Sequence, residues 1–454
     1  MSLSNHDITS HIEASATMLE QGETEDHSSF PTLLSSPVPE DPALEEPPSP
    51  LKKPPRLLSL DVLRGLTIVL MVLINLQPPP PHALPHLQHA EFIGFTLADT
   101  VFPMFIFVMG LAIPLSMGRV PPETWRDYCI LGRRILKRTI LLYAIGLFLN
   151  GFPFADHNIW RTFRFTGVLQ RQAVAYFFTS VAYTLLRSDL PGESEKRHLV
   201  KQTLLSYLFP LSLFILWMAL TYGIQPSGCP RASFTPECCV EGWADRRIWG
   251  QEHNYMGAPF DPEGPIGHIT SIITCWSGLM VGLWVGRSRE ALKCPEGAWR
   301  ISSISLLIGV ACIVPGLLFH PVIPIAKALW TPTFVLLTTG CSLASLGTLV
   351  YVVDIAQGLE ASLTPFFIHY PLDACLVIGK NPLVLYCLHE LIVSALVAIP
   401  IGESSNLWST IFDVVFATWL PNELDGLVWG IFWVMVVVVG VAYLMDRRRL
   451  YIRI

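Results

Sequence analysis

The sequence predicts an all-α fold: a polytopic membrane helix bundle of about ten transmembrane helices with both termini cytoplasmic. Three observations predict it. Apolar residues make up 51% of the 454 positions and charged residues only 15%, where a soluble protein carries about 25%. Mean hydropathy is +0.47. Apolar runs of about 20 residues, long enough for a helix to cross a bilayer, recur along the chain. A soluble globule and a disordered chain are excluded. Nucleic-acid binding goes with them, because net charge is −6 and no basic patch is interleaved with aromatics.

The spans are expected near 57–77, 95–117, 131–151, 165–187, 202–224, 264–286, 301–320, 328–353, 380–401 and 427–446. A mixed stretch, 354–379, is expected to hold an interfacial or re-entrant helix. Residues 1–50 hold ten acidic residues and no Lys or Arg. With the few residues up to 55 they read as a disordered Ser/Pro-rich cytoplasmic tail, inert or regulatory, that buries too little apolar surface to fold. This tail lacks a basic stretch followed by an apolar core and does not read as a signal peptide. Residues 56–454 read as the transmembrane domain.

Orientation follows from positive charge. Lys52, Lys53 and Arg56, then Arg119 to Arg138, Arg187 to Lys201, Arg287 to Arg300 and Arg447 to Arg453 fall on one side, expected to be cytoplasmic. The alternate loops hold only Arg161, Arg164, Arg231, Arg246, Arg247 and Lys327. That side is expected to be lumenal or extracellular, with a long loop near 225–263. Cysteines facing an oxidising compartment tend to pair, so Cys229 is expected to bond Cys238 or Cys239, two neighbours that pair poorly with each other. No Cys/His spacing suggests a metal site.

Polar groups inside a membrane are expensive and mark function by default. Asp61 and Arg64 share a helix face and read first as a structural ion pair. Asn75 lies at the other end of that helix. The next loop carries His82, His86 and His89, with Asp99 shortly after. An imidazole titrates near neutrality and suits acid–base or nucleophilic work, although a loop histidine is more often simply solvated. Arg164 and Arg171 share a face, with Arg171 inside the span, where pairing and ligand binding are equally open. Asp261 and Glu263 flank a proline, His268 follows, and His389 and Glu390 lie near mid-depth, with Asn381 near the cytoplasmic start of the ninth span. Together they suit a polar passage with chemistry at its lumenal end, or a transport path.

The segments RLLSLDVLRGLTIVLMVLIN, HAEFIGFTLADTVFPMFIFVMG, GVLQR, DPEGPIG and NPLVLYCLHE through DRRRLYIRI, in that order, resemble the heparan-alpha-glucosaminide N-acetyltransferase family. The resemblance runs from about Arg56 to Ile454. Ten spans are expected here, without the family enzyme's lumenal N-terminal region and its additional first span. The family moves an acetyl group from cytosolic acetyl-CoA to a terminal glucosamine amine across the lysosomal membrane. Its proposed catalytic histidine lies in a His-Ala motif, here His89-Ala90, so the resemblance selects His89 over His82 and His86. Asn75, Arg171, Asp261, Glu263, Asn381 and His389 also match its motif positions. Where the family enzyme continues Ser-Trp-Asn-Gly, this chain has Glu91-Phe92-Ile93-Gly94.

What the resemblance implies is a transmembrane acetyltransferase. His89 acts as nucleophile or general base, and Asp261 or Glu263 orients it or takes a proton. Arg171 or Asn75 stabilises an oxyanion. Asp99, Arg164, His268, His389 and Glu390 join Asn75, Arg171 and Asn381 as binding candidates, and Arg133, Arg134 or Arg300 attract the CoA phosphates. The expected partners are the bilayer, acetyl-CoA as co-substrate, a carbohydrate acceptor and, as a further option, a second copy of the chain. No metal is expected. The expected location is a lysosomal, vacuolar or plasma membrane. The alternatives are a solute transporter, or an acyltransferase for a different carbohydrate or a lipid.

Overall fold

A computed structural model describes residues 57–452 apart from 79–80, 118–123, 155–158, 188–194, 289–290, 357–365, 404 and 423. The acidic tail lies outside the described residues. The long helices are α1 (Leu58–Asn75), α2 (Ala98–Ser116), α3 (Trp125–Gly151), then a single turn α4 (Ile159–Thr162), α5 (Val168–Arg187) and α6 (Glu195–Gly223). A short α7 (Val240–Ile248) sits in the following loop. Next come α8 (Pro265–Arg287), α9 (Pro295–Leu318), α10 (Pro332–Leu349), α11 (Phe366–Ile378), α12 (Pro382–Val397) and α13 (Leu407–Phe412). The last is α14 (Leu424–Arg447), which widens to π-helix over Val434–Gly440. Two residue pairs, Pro400–Ile401 and Ser405–Asn406, form an antiparallel clip, β1 and β2.

Sequence punctuation explains the helix starts. Pro265, Pro295, Pro332 and Pro382 each stand in the first helical turn, where a missing N–H costs nothing and φ is already helical. Helix α3 begins at a capping box in which Thr124 and Asp127 satisfy each other's backbone N–H groups.

Among the described residues, seven helices are long and apolar enough to cross a membrane: α1, α2, the Ser206–Gly223 part of α6, α8, α9, α10 with its extension to Asp354, and α14. Residues Tyr370–Ile378 and Pro382–Val397 make an eighth if counted as one span bent by 87°. The expectation of ten is therefore not met by length and composition. Helices do run where spans three and four were expected. However, α3 carries Arg126, Arg133, Arg134, Lys137 and Arg138, and α5 carries Arg171, Arg187 and a polar face. The expected re-entrant stretch becomes α11, which turns sharply into α12.

Helices α1, α2, α8 and α10 form the centre, with α6 outermost. Two-thirds of the α2 span is buried, against 11% of the α6 span. The central helices touch backbone to backbone. A Cβ on Gly65 would collide with the Cys375 carbonyl of α11, and one on Gly379 with that of Asp61. Likewise Gly110 of α2 abuts the Cys275 carbonyl of α8, and Gly278 of α8 abuts that of Phe107. Small residues permit such contact in lipid, where packing rather than water exclusion drives helix association. Around these seams pack Phe102, Ile106, Trp276, Trp330 and Phe334 on one side, and Leu63, Phe107, Leu111 and Leu346 on the other.

Candidate active site

The loop joining α1 to α2 carries His89 back over the start of α2. Asp99, in the first turn of α2 and fully buried, is held by three donors on one oxygen. Its Oδ2 accepts from Ala90 N (3.2 Å), Thr96 N (3.1 Å) and Thr96 Oγ1 (3.0 Å). Its Oδ1 lies 2.9 Å from His89 Nδ1. An ionised carboxylate only accepts hydrogen bonds, so Nδ1 carries the proton and donates. The Nε2 lone pair is left as the reactive one. His89 keeps 44% of its side chain exposed, so that lone pair is reachable.

Lys327, in the loop before α10, reaches the same imidazole. Its Nζ lies 3.0 Å from His89 Nδ1, 3.3 Å from Nε2 and 3.5 Å from Asp99 Oδ1. Burial pulls the Lys327 pKa below its ordinary value, opposed by the charges of Asp99 and Glu263.

A second cluster forms where the loop before α5 meets the loop before α8. Arg164 grips Asp261 with two bonds, Nε to Oδ2 at 2.8 Å and Nη2 to Oδ1 at 2.6 Å, and also donates to Glu263. Asp261 further accepts from the backbone of Tyr255 (3.0 Å) and Glu263 (2.8 Å). Burial works against the Arg164 charge, but Glu263 and Asp261 outweigh it and its pKa is raised. Burial likewise pushes Asp261 up, yet Arg164 prevails and holds it below the usual carboxylate range.

The two clusters meet at a cavity of about 1280 Å³. His89, Glu263, Lys327, Arg164 and Asn75 line one end, and Asp61, Arg64 and Lys380 the other. On α1 the lining runs from Leu60 to Asn75, and on α2 from Ala98 to Ser116. The cavity thus follows both helices end to end, roughly 22–27 Å at 1.5 Å per residue.

Not every expected site residue faces it. Asp261 stands behind Glu263 with both oxygens engaged, so its geometry is that of a positioning group, not a free base. Arg171 is fully buried behind the cavity wall, donating to Gly264 O (3.3 Å) and stacked over Trp330 at 4.6 Å. His268 turns its Nδ1 to the same carbonyl at 2.7 Å. Asn381 is spent on the chain that follows α14: Nδ2 donates to Leu450 O and Oδ1 accepts from Ile452 N, both at 3.0 Å. His389 is buried with Nδ1 against the Tyr386 carbonyl, while Tyr386 and Glu390 line the cavity. Arg133, Arg134 and Arg300 do not line it, whereas Arg64, Arg138 and Lys380 do. His82 pairs with the buried Asp425 at 2.6 Å and pins its loop to α14.

Lys327 escaped the sequence reading as a site residue. The available signal was its position: a lysine in a loop on the cation-poor side of the charge pattern.

In the long loop, Cys229 is bonded to Cys238. Cys239 is a buried thiol whose Sγ accepts from Gly242 N and caps α7. Behind the second cluster lie two more carboxylates on α7. Burial pushes Glu241 and Asp245 up to about 7 each, with Asp245 partly offset by the Asp261 N–H that it accepts at 2.8 Å. A carboxyl whose folded pKa exceeds its unfolded value of about 4 takes up a proton on folding. That stabilisation is complete below about pH 4 and is lost as pH rises through about 7. Melting temperature should therefore fall between about pH 4 and pH 7, and Glu241→Gln or Asp245→Asn should flatten the fall. An unchanged slope in both variants would remove these two groups from the account.

Helices of this length, apolar face and buried polar passage define a polytopic helical membrane protein. Residues 56–192 match the family model described as "Heparan-alpha-glucosaminide N-acetyltransferase, catalytic". The chain is 30% identical over 372 residues to the human heparan-alpha-glucosaminide N-acetyltransferase, covering 74% of this chain and 53% of that protein. It is 29% identical over 371 residues to the Mus musculus protein of the same name, covering 74% and 54%. The chain spans about half the length of these relatives. It belongs to the heparan-alpha-glucosaminide N-acetyltransferase family.

Proposed function

We propose that the chain is a transmembrane N-acetyltransferase. It takes acetyl-CoA from the cytoplasmic side and delivers the acetyl group to the amine of an amino sugar or related acceptor on the lumenal or extracellular side. In this reading the chain crosses the bilayer ten times, α3 and α5 included, with the positive loops and both termini in the cytoplasm.

The observation that carries the proposal is the continuous cavity with a basic end and a histidine end. Arg64 and Lys380 line its cytoplasmic part and suit the phosphates of CoA. The apolar middle, with Val108, Met109 and Leu383, suits the pantetheine arm. At the far end His89 Nε2 acts on the thioester carbonyl as nucleophile, or on the acceptor amine as base. Asp99 fixes the tautomer either way. Glu263 faces the cavity beside them and suits a cationic acceptor. Arg164 and Asp261 keep Glu263 in place.

The test is direct. Purified full-length chain with labelled acetyl-CoA should acetylate glucosamine or another amine from an acceptor panel. His89→Ala should abolish turnover in a protein that melts like the wild type. Wild-type turnover in that variant would overturn the role of His89. Flux of a solute into liposomes without release of CoA would favour a transporter on the same scaffold.

A further inference from the structure

Whichever nucleophile attacks, the thioester carbonyl becomes an oxyanion, and a preorganised cation beside it is among the strongest devices for speeding acyl transfer. Arg171 was the cation expected to serve, but it is sealed behind Trp330 and does not face the cavity. Arg164 faces the cavity with its guanidinium committed to Asp261 and Glu263. Arg64 and Lys380 belong to the cavity's other end, and Arg138 lies over the Tyr176 ring at 4.5 Å. Among the described residues, Lys327 is the cation in contact with His89.

Lys327 is also well fixed. Its loop is tied to the histidine loop by Gly94 N donating to Ile325 O at 2.9 Å. Within it, Thr331 Oγ1 accepts from Ala326 N (3.2 Å) and donates to Pro324 O (2.8 Å). The buried Trp330 anchors it below. A side chain held this way loses little freedom when it engages a reacting atom.

From this geometry we infer that Lys327 is a catalytic residue that stabilises the oxyanion of the acetyl thioester. The inference rests on the acetyl-transfer reading and deepens it.

In the resting site Nδ1 keeps its proton and donates to Asp99, and the ammonium of Lys327 rests beside the ring, 3.3 Å from Nε2 and 3.5 Å from Asp99 Oδ1. When the thioester enters, the ammonium shifts to the carbonyl oxygen. The Nε2 lone pair then forms a bond to the carbonyl carbon, and the C=O π pair moves onto the oxygen facing Lys327. Collapse returns that pair, breaks the C–S bond and releases CoA as the thiolate, leaving the acetyl group on Nε2. Attack by the acceptor amine forms the N–C bond and frees Nε2, and the amine proton leaves through the imidazole. If the amine attacks the thioester directly, the same oxyanion forms in the same place.

The experiment compares the full-length wild type, Lys327→Met and Lys327→Arg, with acetyl-CoA and glucosamine as probes and melting curves as the check on folding. Lys327→Met should lower kcat about 10²–10³-fold, the effect of losing one oxyanion donor, with KM for acetyl-CoA within about twofold. Lys327→Arg should recover at least about tenfold of that loss, because it restores the charge. Wild-type kcat in Lys327→Met overturns the inference, as does a change confined to KM. Should Lys327→Met fail to fold, Lys327→Gln against Lys327→Arg decides: equal rates overturn it. An inactive wild type across all acceptors overturns the acetyl-transfer reading and this one with it. An active wild type with an unaffected Lys327→Met overturns this one alone.

Discussion

Asp99→Asn should lower acetyl transfer about 10³–10⁴-fold, the scale at which a wrongly held tautomer disables a catalytic histidine. The direction follows from three donors. Ala90 N, Thr96 N and Thr96 Oγ1 converge on one Asp99 oxygen. In the variant the amide oxygen of the new side chain has to occupy that position, so its NH2 faces His89. Nδ1 must then accept, its proton moves to Nε2, and the reactive lone pair is gone. The three converging bonds survive, so the variant should melt close to the wild type. A kcat loss under about tenfold, with folding intact, would show that His89 does not depend on this tautomer.

Arg164→Met should destabilise the protein by about 3–5 kcal/mol, the usual cost of removing one partner from a buried ion pair. Asp261 is 1% exposed at its side chain and Glu263 12%, against 19% for Arg164. With the guanidinium gone, two neighbouring carboxylates repel each other where water cannot screen them. Asp261 also holds the backbone of Tyr255 and Glu263, so the loop ahead of α8 should loosen. Thermal melting and limited proteolysis of that loop measure both effects. Arg164→Lys should fall between, since a lysine keeps the charge but loses the two-pronged grip. A wild-type melting temperature in Arg164→Met would show the network to be surface ornament.

Most of the bundle was legible because hydropathy and charge are local properties. Each apolar run announced a helix, and the prolines at Pro265, Pro295, Pro332 and Pro382 marked where several begin. The count of spans was less legible. Helices α3 and α5 carry charges whose partners and surroundings are set by the fold. The site was partly legible for the same reason. His82, His86 and His89 look alike in the chain, and the distinction lies in what each one meets. His82 finds Asp425, 343 residues away, whereas His89 finds Asp99, ten residues away, and Lys327, 238 residues away. Arg164 and Asp261 were both named, yet their pairing spans 97 residues. Asn381 misled for the opposite reason. A buried amide in a span reads as a ligand site, but its partners are backbone groups of Leu450 and Ile452, and main-chain donors and acceptors leave no trace in a sequence.

The glycine seams bear on how cargo travels. Two walls of the cavity, α1 and α2, are each pressed against a neighbour at bare-backbone distance, α1 on α11 and α2 on α8. Planks nailed that closely do not slide or rock without breaking the joint. On the proposed acetyl-transfer reading, crossing then falls to the cargo itself: a slender tether threaded through a fixed duct, with its reactive tip hoisted to the far mouth while the bulky anchor stays behind.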